Sequence, residues 1–451
     1  MPSIGHTTPP SPDAQVLDPR GPTGGLQARV SETRAFLRGW RRYFEERRAT
    51  YGSGVFRTCI VGPAVSILDV AGFEVLFDTA RVRKCYGFGP AIPRRDLVGR
   101  ITPTVFANGS AHEAQKRVLL SLIEGAAPRL EPTLGGLADD AFDRWASLPK
   151  PLDWGREMDG LLITCLFEWL LGARPDLDDV RAWGDAILSP VPLDVPPVFA
   201  AAPRPARAAR DRLLAVVRGA PAFAGAARLA REQAGWTEDE SAKQLLFMLA
   251  FNAWGGLHGA LPSLVAELTL NDGVRRAIRQ EARAASPASA PGMAALARMP
   301  ILRGAVAETL RLHGPVPFAY GQAITDLVVQ SHTGSYRVRA GEMLQGVFWM
   351  AGLDPRVFPD PERFDPARHA DPAARRAVLW ANGPADVPTA PGNKVCAGQD
   401  VVVQILAFLA ARLVAGWDWS LSDTPRWSQA RVILANRPET PMTLTSFGRV
   451  V

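Results

Sequence analysis

The chain has 451 residues, 47% of them apolar and 21% charged, a balance that excludes wholesale disorder. Its net charge of +6 is an arginine surplus, since only five lysines occur, and its 45 acidic residues are interspersed with the basic ones, which excludes a nucleic-acid-binding tract. No stretch of 18 or more residues is free of charges or breakers, so no transmembrane helix is expected. Residues 1–25, MPSIGHTTPPSPDAQVLDPRGPTGG, carry no apolar signal region and read as a disordered arm. With no signal or anchor and an arginine bias, a soluble, bacterial, cytoplasmic protein is expected.

After the arm, SETRAFLRGWRRYFEERRATYG places Phe36, Trp40, Tyr43 and Phe44 on one face at helical spacing. This is a surface helix packed on the core or, as the alternative, one with a weak membrane-surface association. VFRTCIVG and SILDV read as a hairpin, and GFEVLFD opens a short helix. Residues 189–207 are a Pro-rich irregular loop, either a lid or a plain linker. Thr237 and Glu240 form a capping box that opens a helix running into LLFMLAF, apolar on every face and so central in the fold. Asn252, Gly255, Gly256 and Gly259 follow; three glycines at ~1 kcal/mol each against alanine suggest either a kink or a bulky group approaching the backbone.

Residues 299–313 form a further helix, with Glu308 and Arg311 three apart on one face. Strand-like SYRVRAG and GEMLQGVFWM, a Pro-rich meander, and the apolar VVVQILAFLAARLVAG helix complete the chain. Helices dominate, with small β-sheets at both ends: a mainly α fold class. Length suggests about three domains at ~150 residues each, yet no repeat or composition shift marks a boundary.

Chemistry concentrates in WANGPADVPTAPGNKVCAGQD. The four cysteines, at 59, 85, 165 and 396, form no close pair, which excludes a CxxC site; three read as buried packing residues. Cys396 differs. It lies in a loop just before a helix, where the dipole and free N–H groups favour a thiolate. Gly392 and Gly398 flank it and allow close approach of a planar ligand or unusual backbone angles. A lone nucleophile is the alternative, but no partner constellation around His112, His258 or His313 supports it.

Glu308-Thr309-Leu310-Arg311, the PERF meander, and Gly392-xxx-Cys396-x-Gly398, in that order, resemble the cytochrome P450 family. Two departures narrow the resemblance. Thr389 stands where an aromatic is expected seven residues before the cysteine, and Asn252 stands where ordinary members carry an acid–threonine pair to protonate bound dioxygen. LLFMLAFNAWGG, PVPFAYG and GNKVCAGQD are similar to the allene oxide synthase and hydroperoxide lyase group, which rearranges fatty-acid hydroperoxides.

The resemblance implies a single haem domain over 26–451, with haem b held by the Cys396 thiolate as metal ligand. It implies a structural ion pair of Glu308, Arg311 and Arg368, with Arg363 second. Lys394 and Lys116 would face the haem propionates. Asn252 would hydrogen-bond the hydroperoxide, since an amide donates and accepts without titrating. Phe106 would steer the carbon radical, and Gly255 and Gly256 would leave room for substrate or haem. The implied activity is homolytic O–O cleavage without O2, NAD(P)H or reductase, chiefly giving an allene oxide. A hydroperoxide lyase or epoxyalcohol synthase is the alternative, then an O2-dependent monooxygenase or peroxygenase, then a haem-binding sensor.

Overall fold

Most of the chain from Leu26 onward folds into helices stacked around a central one, with three small sheets among the described residues. The structure is a computed structural model that describes residues 15–450 except 61, 86–94, 189–201, 288, 381 and 433–434.

Part of the expected arm is ordered. Val16–Leu17 (β1) pairs in parallel with Ser335 and Tyr336, and the Arg57 N–H donates to Arg20 O at 2.6 Å. A sheet edge offers unpaired backbone groups, and two residues suffice to satisfy some of them. The disorder expected through residue 25 is thus corrected for 15–25; residues 1–14 lie outside the described ones.

The single helix expected next is two, Leu26–Arg38 and Trp40–Tyr51, broken by an extended Gly39. Trp40, Tyr43 and Phe44 are buried, with Trp40 against Trp349 at a 4.7 Å centroid distance. The hairpin forms as Val55–Thr58 (β2) and Ala64–Ile67 (β3), antiparallel. It joins Val82–Arg83 (β4), Phe318–Ala323 (β6) and Met343–Val347 (β9) in a five-stranded sheet ordered β2-β3-β9-β6-β4. Leu327–Ser331 (β7) and Gly334–Val338 (β8) make a hairpin with β1 at its edge. Near the C-terminus, Trp417–Leu421 (β10) and Thr443–Arg449 (β11) pair with Leu152–Asp153 (β5).

One apolar core draws residues from Val55 to Phe447, so most of the chain shares a single interior. The central helix crosses it in three parts: α-helical Glu238–Phe247, π-helical Met248–Ala253, and α-helical Trp254–Leu270. The capping box is present, with Glu240 N donating to Thr237 Oγ1 and Thr237 N to Glu240 Oε2. Of the Pro-rich loop, 189–201 lie outside the described residues. From Arg204 that stretch is a helix, Arg204–Gly219, with Pro at its first turn, where a missing N–H costs nothing. Helix Gln399–Gly416 is by length and composition apolar enough to cross a membrane, contrary to expectation; Ile405 to Ala411 are all buried in the core.

Candidate functional site

The site is built on two loops and the central helix. Behind the cysteine loop lies helix Pro300–Leu312, whose Glu308 and Arg311 face the meander. Arg311 donates from Nε and Nη2 to Glu308, both at 2.7 Å, and Arg368 Nε donates to Oε1 at 2.9 Å. Arg363 instead pairs with Asp365, at 2.5 Å on the surface. Two partners were not foreseen: His369 Nε2 lies 2.7 Å from Glu308 Oε2, and Asp365 N donates to Oε1 at 3.0 Å. Burial pushes the Glu308 carboxyl up, but the hydrogen bonds from Arg311 and His369 outweigh it and hold the group down at about 2. Arg311 also donates to Pro361 O at 2.8 Å and to Gly352 O, tying the helix to the meander. Such a buried charge set is a positional device more than a source of stability.

The cysteine loop is braced from within and from a distance. Asn393 accepts from Ala390 N at 3.2 Å and donates to Pro388 O at 3.0 Å, closing the turn before Cys396. Thr389 Oγ1 donates to Val395 O at 3.3 Å, the task it performs in place of an aromatic. Gly383 packs so close that an added Cβ would lie 2.6 Å from Val395 Cγ2. From the long helix Gly109–Ser147, Lys116 donates to Asn393 O at 2.7 Å, to Asn393 Oδ1 at 2.9 Å and to Val395 O at 2.6 Å. An ammonium has three donors, so Lys116 is occupied in holding the loop, and its expected pairing with a propionate is corrected. One turn earlier, His112 lies 3.0 Å from both Thr104 O and Asn393 O, and burial lowers its pKa.

Lys394 and Lys84 complete a buried cationic group. Lys394 donates to Ala107 O, and Lys84 to Asn382 Oδ1 at 3.4 Å. Burial, reinforced by Lys84 and Lys116, pushes Lys394 down to about 7, and burial takes Lys84 and Lys116 to about 8. Among the described residues, every hydrogen-bond acceptor of these three ammoniums is a neutral carbonyl or amide oxygen, so no compensating carboxylate meets the cluster there. Buried charge of one sign fits a ligand that brings the other. Lys84 escaped the sequence reading, although its rarity was a signal: three of the chain's five lysines meet here.

Cys396 sits at the end of this loop, two residues before the Gly398 that precedes helix Gln399–Gly416. Burial raises its thiol; the Gly398 N–H and Lys116 work against that, so the helix end alone does not make the thiolate. A coordinated metal would. Neither Gly392 nor Gly398 adopts a positive φ, contrary to one expectation, but an added Cβ at either would meet nothing within 4 Å. Among the described residues no cluster of three His, Cys, Asp or Glu is placed to hold a metal ion. A thiol ligand, a glycine-cleared approach and uncompensated cations together fit haem: iron on sulfur, carboxylates on lysine. The other cysteines pack: Cys59 and Cys165 are buried, and Cys85 Sγ lies 3.7 Å from Met343 Sδ.

On the central helix, Met248, Leu249 and Ala250 are buried while Asn252 is exposed, although it lies mid-helix in the protein's interior. The π-helical turn that carries it shifts the register of the face, a device common at functional sites. Gly256, four residues on, also borders open space, whereas Gly259 is pressed on the Ala435–Asn436 backbone and Gly255 is buried. The glycines therefore serve different ends. Phe106, expected near the hydroperoxide, lies in the turn Thr104–Phe106 and packs against the main core; the adjacent Ala107 carbonyl takes Lys394.

A family model described as Cytochrome P450 matches residues 241–443. Allene oxide synthase 1, chloroplastic, of Oryza sativa subsp. japonica is 32% identical over 397 residues, 78% of this chain and 74% of that protein. Allene oxide synthase 2 of the same plant is 30% identical over 421 residues, covering 85% and 88%. Linolenate hydroperoxide lyase, chloroplastic, of Arabidopsis thaliana is 34% identical over 202 residues, 44% of this chain and 41% of that protein. The solved structure of retinoic acid bound cyanobacterial CYP120A1 superposes with a TM-score of 0.75 at 19% identity, covering 97% of this chain and all of that one. The expected cytoplasmic, bacterial origin is corrected by these relatives, several of which are plant proteins named as chloroplastic; arginine content carries no information about compartment. The chain belongs to the cytochrome P450 family, in the group of the allene oxide synthases and hydroperoxide lyases.

Proposed function

We propose that the protein dehydrates polyunsaturated fatty-acid hydroperoxides to allene oxides, with no O2 and no reductase. The observation that carries this is Asn252, an amide exposed at the π-turn of the central helix, where ordinary members carry an acid–threonine pair, and followed by Gly255 and Gly256. An amide hydrogen-bonds both oxygens of a hydroperoxide but relays no proton, which suits a substrate that already contains its O–O bond. Cys396 is assigned as the iron ligand, Lys394 and Lys84 as partners of the haem carboxylates, and Lys116 as the brace that sets the thiolate's position. When bound, haem supplies the homolytic O–O cleavage and the one-electron oxidation that follows. The chain's residues orient the substrate: Asn252 holds the hydroperoxide, and Gly256 leaves the space beside it clear. The net reaction is loss of one water from the hydroperoxide.

The test is incubation of haem-loaded protein with linoleic and linolenic hydroperoxides in the absence of reductant, with product identification. Allene oxides or their hydrolysis products are expected; no consumption of any regioisomer sinks the reading. The hydroperoxide lyase relative keeps C–C cleavage as the second reading, and short-chain aldehydes would identify it. A weak membrane-surface association is supported by the exposed Leu26, Val30 and Leu37 of the first helix, and co-sedimentation with anionic vesicles tests it.

A further inference from the structure

His112 stands in the first turn of the long helix Gly109–Ser147, buried between the turn Thr104–Phe106 and the cysteine loop. Its Nδ1 lies 3.0 Å from Thr104 O, in the turn that carries Phe106, and its Nε2 lies 3.0 Å from Asn393 O, in the loop that carries Cys396. Both partners are backbone carbonyls, which accept and never donate. A neutral imidazole has one N–H and one bare nitrogen. In that form one contact is a hydrogen bond, and the other sets a ring lone pair against a carbonyl oxygen. Only the imidazolium, with an N–H on each nitrogen, satisfies both.

Each end of this bridge is stiff on its own. Phe106 N and Ala107 N donate to Pro103 O at 2.9 and 3.2 Å, and Asn108 Nδ2 donates to Phe106 O at 3.2 Å. Asn393 is held by Lys116 at both its carbonyl and its side chain. Phe106 thus sits between two carbonyls tied to the cysteine side, Thr104 O by His112 and Ala107 O by Lys394. The charges that face the ring are Lys116 on its own helix and Lys394 on the cysteine loop, while residues 101–108 contain no ionisable side chain. Burial takes the ring's pKa down, the Asn393 carbonyl takes it up, and the two lysines add to the lowering. Carboxylates meeting Lys394 and Lys84, as assigned above, offset the lysines and favour the second proton.

We propose that His112 is a positioning residue worked by a proton: as the imidazolium it donates to Thr104 O and Asn393 O together and holds the turn of Phe106 to the cysteine loop, and as the neutral ring it lets one side go. The consequence falls on product choice, because Phe106 is the side chain expected to steer the substrate toward allene oxide rather than cleavage. This rests on the hydroperoxide reading above and deepens it, making the partition between products depend on one proton at a residue that touches neither substrate nor iron ligand. Acid favours the locked turn and allene oxide; alkali releases the turn and favours cleavage.

The test follows the products and the ring separately. Haem-loaded protein is given linoleic hydroperoxide without reductant from about pH 5 to about pH 9, across the histidine range, and allene-oxide-derived products are compared with aldehydes. The ratio is expected to fall roughly fivefold through a single one-proton step as pH rises, the worth of one hydrogen bond. His112→Gln, whose amide donates from one nitrogen only, should stay at the wild type's high-pH ratio throughout. In parallel, NMR of the ferrous–CO protein labelled with 15N-histidine reads the ring directly, the His112 signals being those the variant lacks. Two N–H groups in acid and one in alkali are expected, with the same midpoint as the product ratio. A flat ratio in the wild type, or a His112→Gln protein that keeps the wild-type pH profile, overturns the assignment. Should the variant fail to load haem, the wild-type profile decides. Absence of hydroperoxide turnover would defeat the proposed reaction and leave the ring to decide this one, a His112 with a single N–H across the whole range refuting it.

Discussion

The two sides of the site are built on opposite principles. On the cysteine side nearly every polar atom is committed: Asn393 closes its own turn, Lys116 spends three donors on the loop, and Glu308 gathers Arg311, Arg368, His369 and a backbone N–H. On the central-helix side the backbone leaves regular α-geometry, glycines replace side chains, and Asn252 faces open space. The difference is instructive about where each kind of chemistry is placed. A metal ligand must be held to one position, so its surroundings are over-determined. A substrate that enters and leaves needs room, so the surface that meets it is cleared.

Substitutions should tell the two sides apart. The largest effect is expected for Cys396→Ser: the thiolate-type Soret band of the ferrous–CO complex disappears and hydroperoxide turnover goes with it, while an unchanged spectrum removes Cys396 from the iron. Glu308→Ala comes next. It strands the Arg311 and Arg368 guanidiniums and the His369 ring around one vacated carboxylate, costing about 3–5 kcal/mol, and should appear in denaturant unfolding and in poor haem retention. A wild-type midpoint in this variant would mean that the network does not support the loop.

Asn252→Ala should lower kcat/KM for hydroperoxides roughly 100–1000-fold, in the range of losing one preorganised polar contact, with the Soret band and unfolding midpoint unchanged. A spectral change instead would place Asn252 in the support rather than at the substrate. The fourth prediction concerns acid. Glu308 falls from its ordinary 4.5 to about 2 on folding, so between those values the unfolded chain binds more protons. Its contribution is complete above pH ~4.5 and lost as pH falls toward 2, roughly 3 kcal/mol in all. Unfolding of wild type against Glu308→Gln at pH 7 and pH 3 checks it: the gap between them should narrow in acid. Smallest is Phe106→Leu, expected to shift products from allene oxide toward cleavage. Unchanged ratios would leave Phe106 a packing residue in the turn before the long helix.

Much of the committed side was legible in the chain order. An acid and an arginine three apart on a helix, an arginine in the meander and a glycine-flanked cysteine before an apolar helix are local patterns, and local patterns survive in sequence. His369 and Lys84 were not legible, because each matters only through where a distant segment brings it: His369 lies 61 positions from Glu308, and Lys84 nearly 300 from Asn382. The π-turn was hidden for another reason. One extra residue in a turn leaves an all-apolar run such as LLFMLAF looking the same, since the pattern carries no polar face to betray a shift in register.

What the sequence alone determined, then, is a mainly helical chain, the capping box at Thr237, the cysteine beside a helix start and the amide where a proton relay would stand. Each is a matter of residue type and short-range spacing, which the covalent chain carries by itself. Only the tertiary structure decided that Val16 and Leu17 complete a sheet edge, that Gly39 splits one helix into two, that Lys116 holds the loop, and that three lysines converge without an acid among their described partners. Those outcomes depend on burial and on contacts across hundreds of residues, and burial is what turns a lysine from a solvated charge into a group in need of an anion.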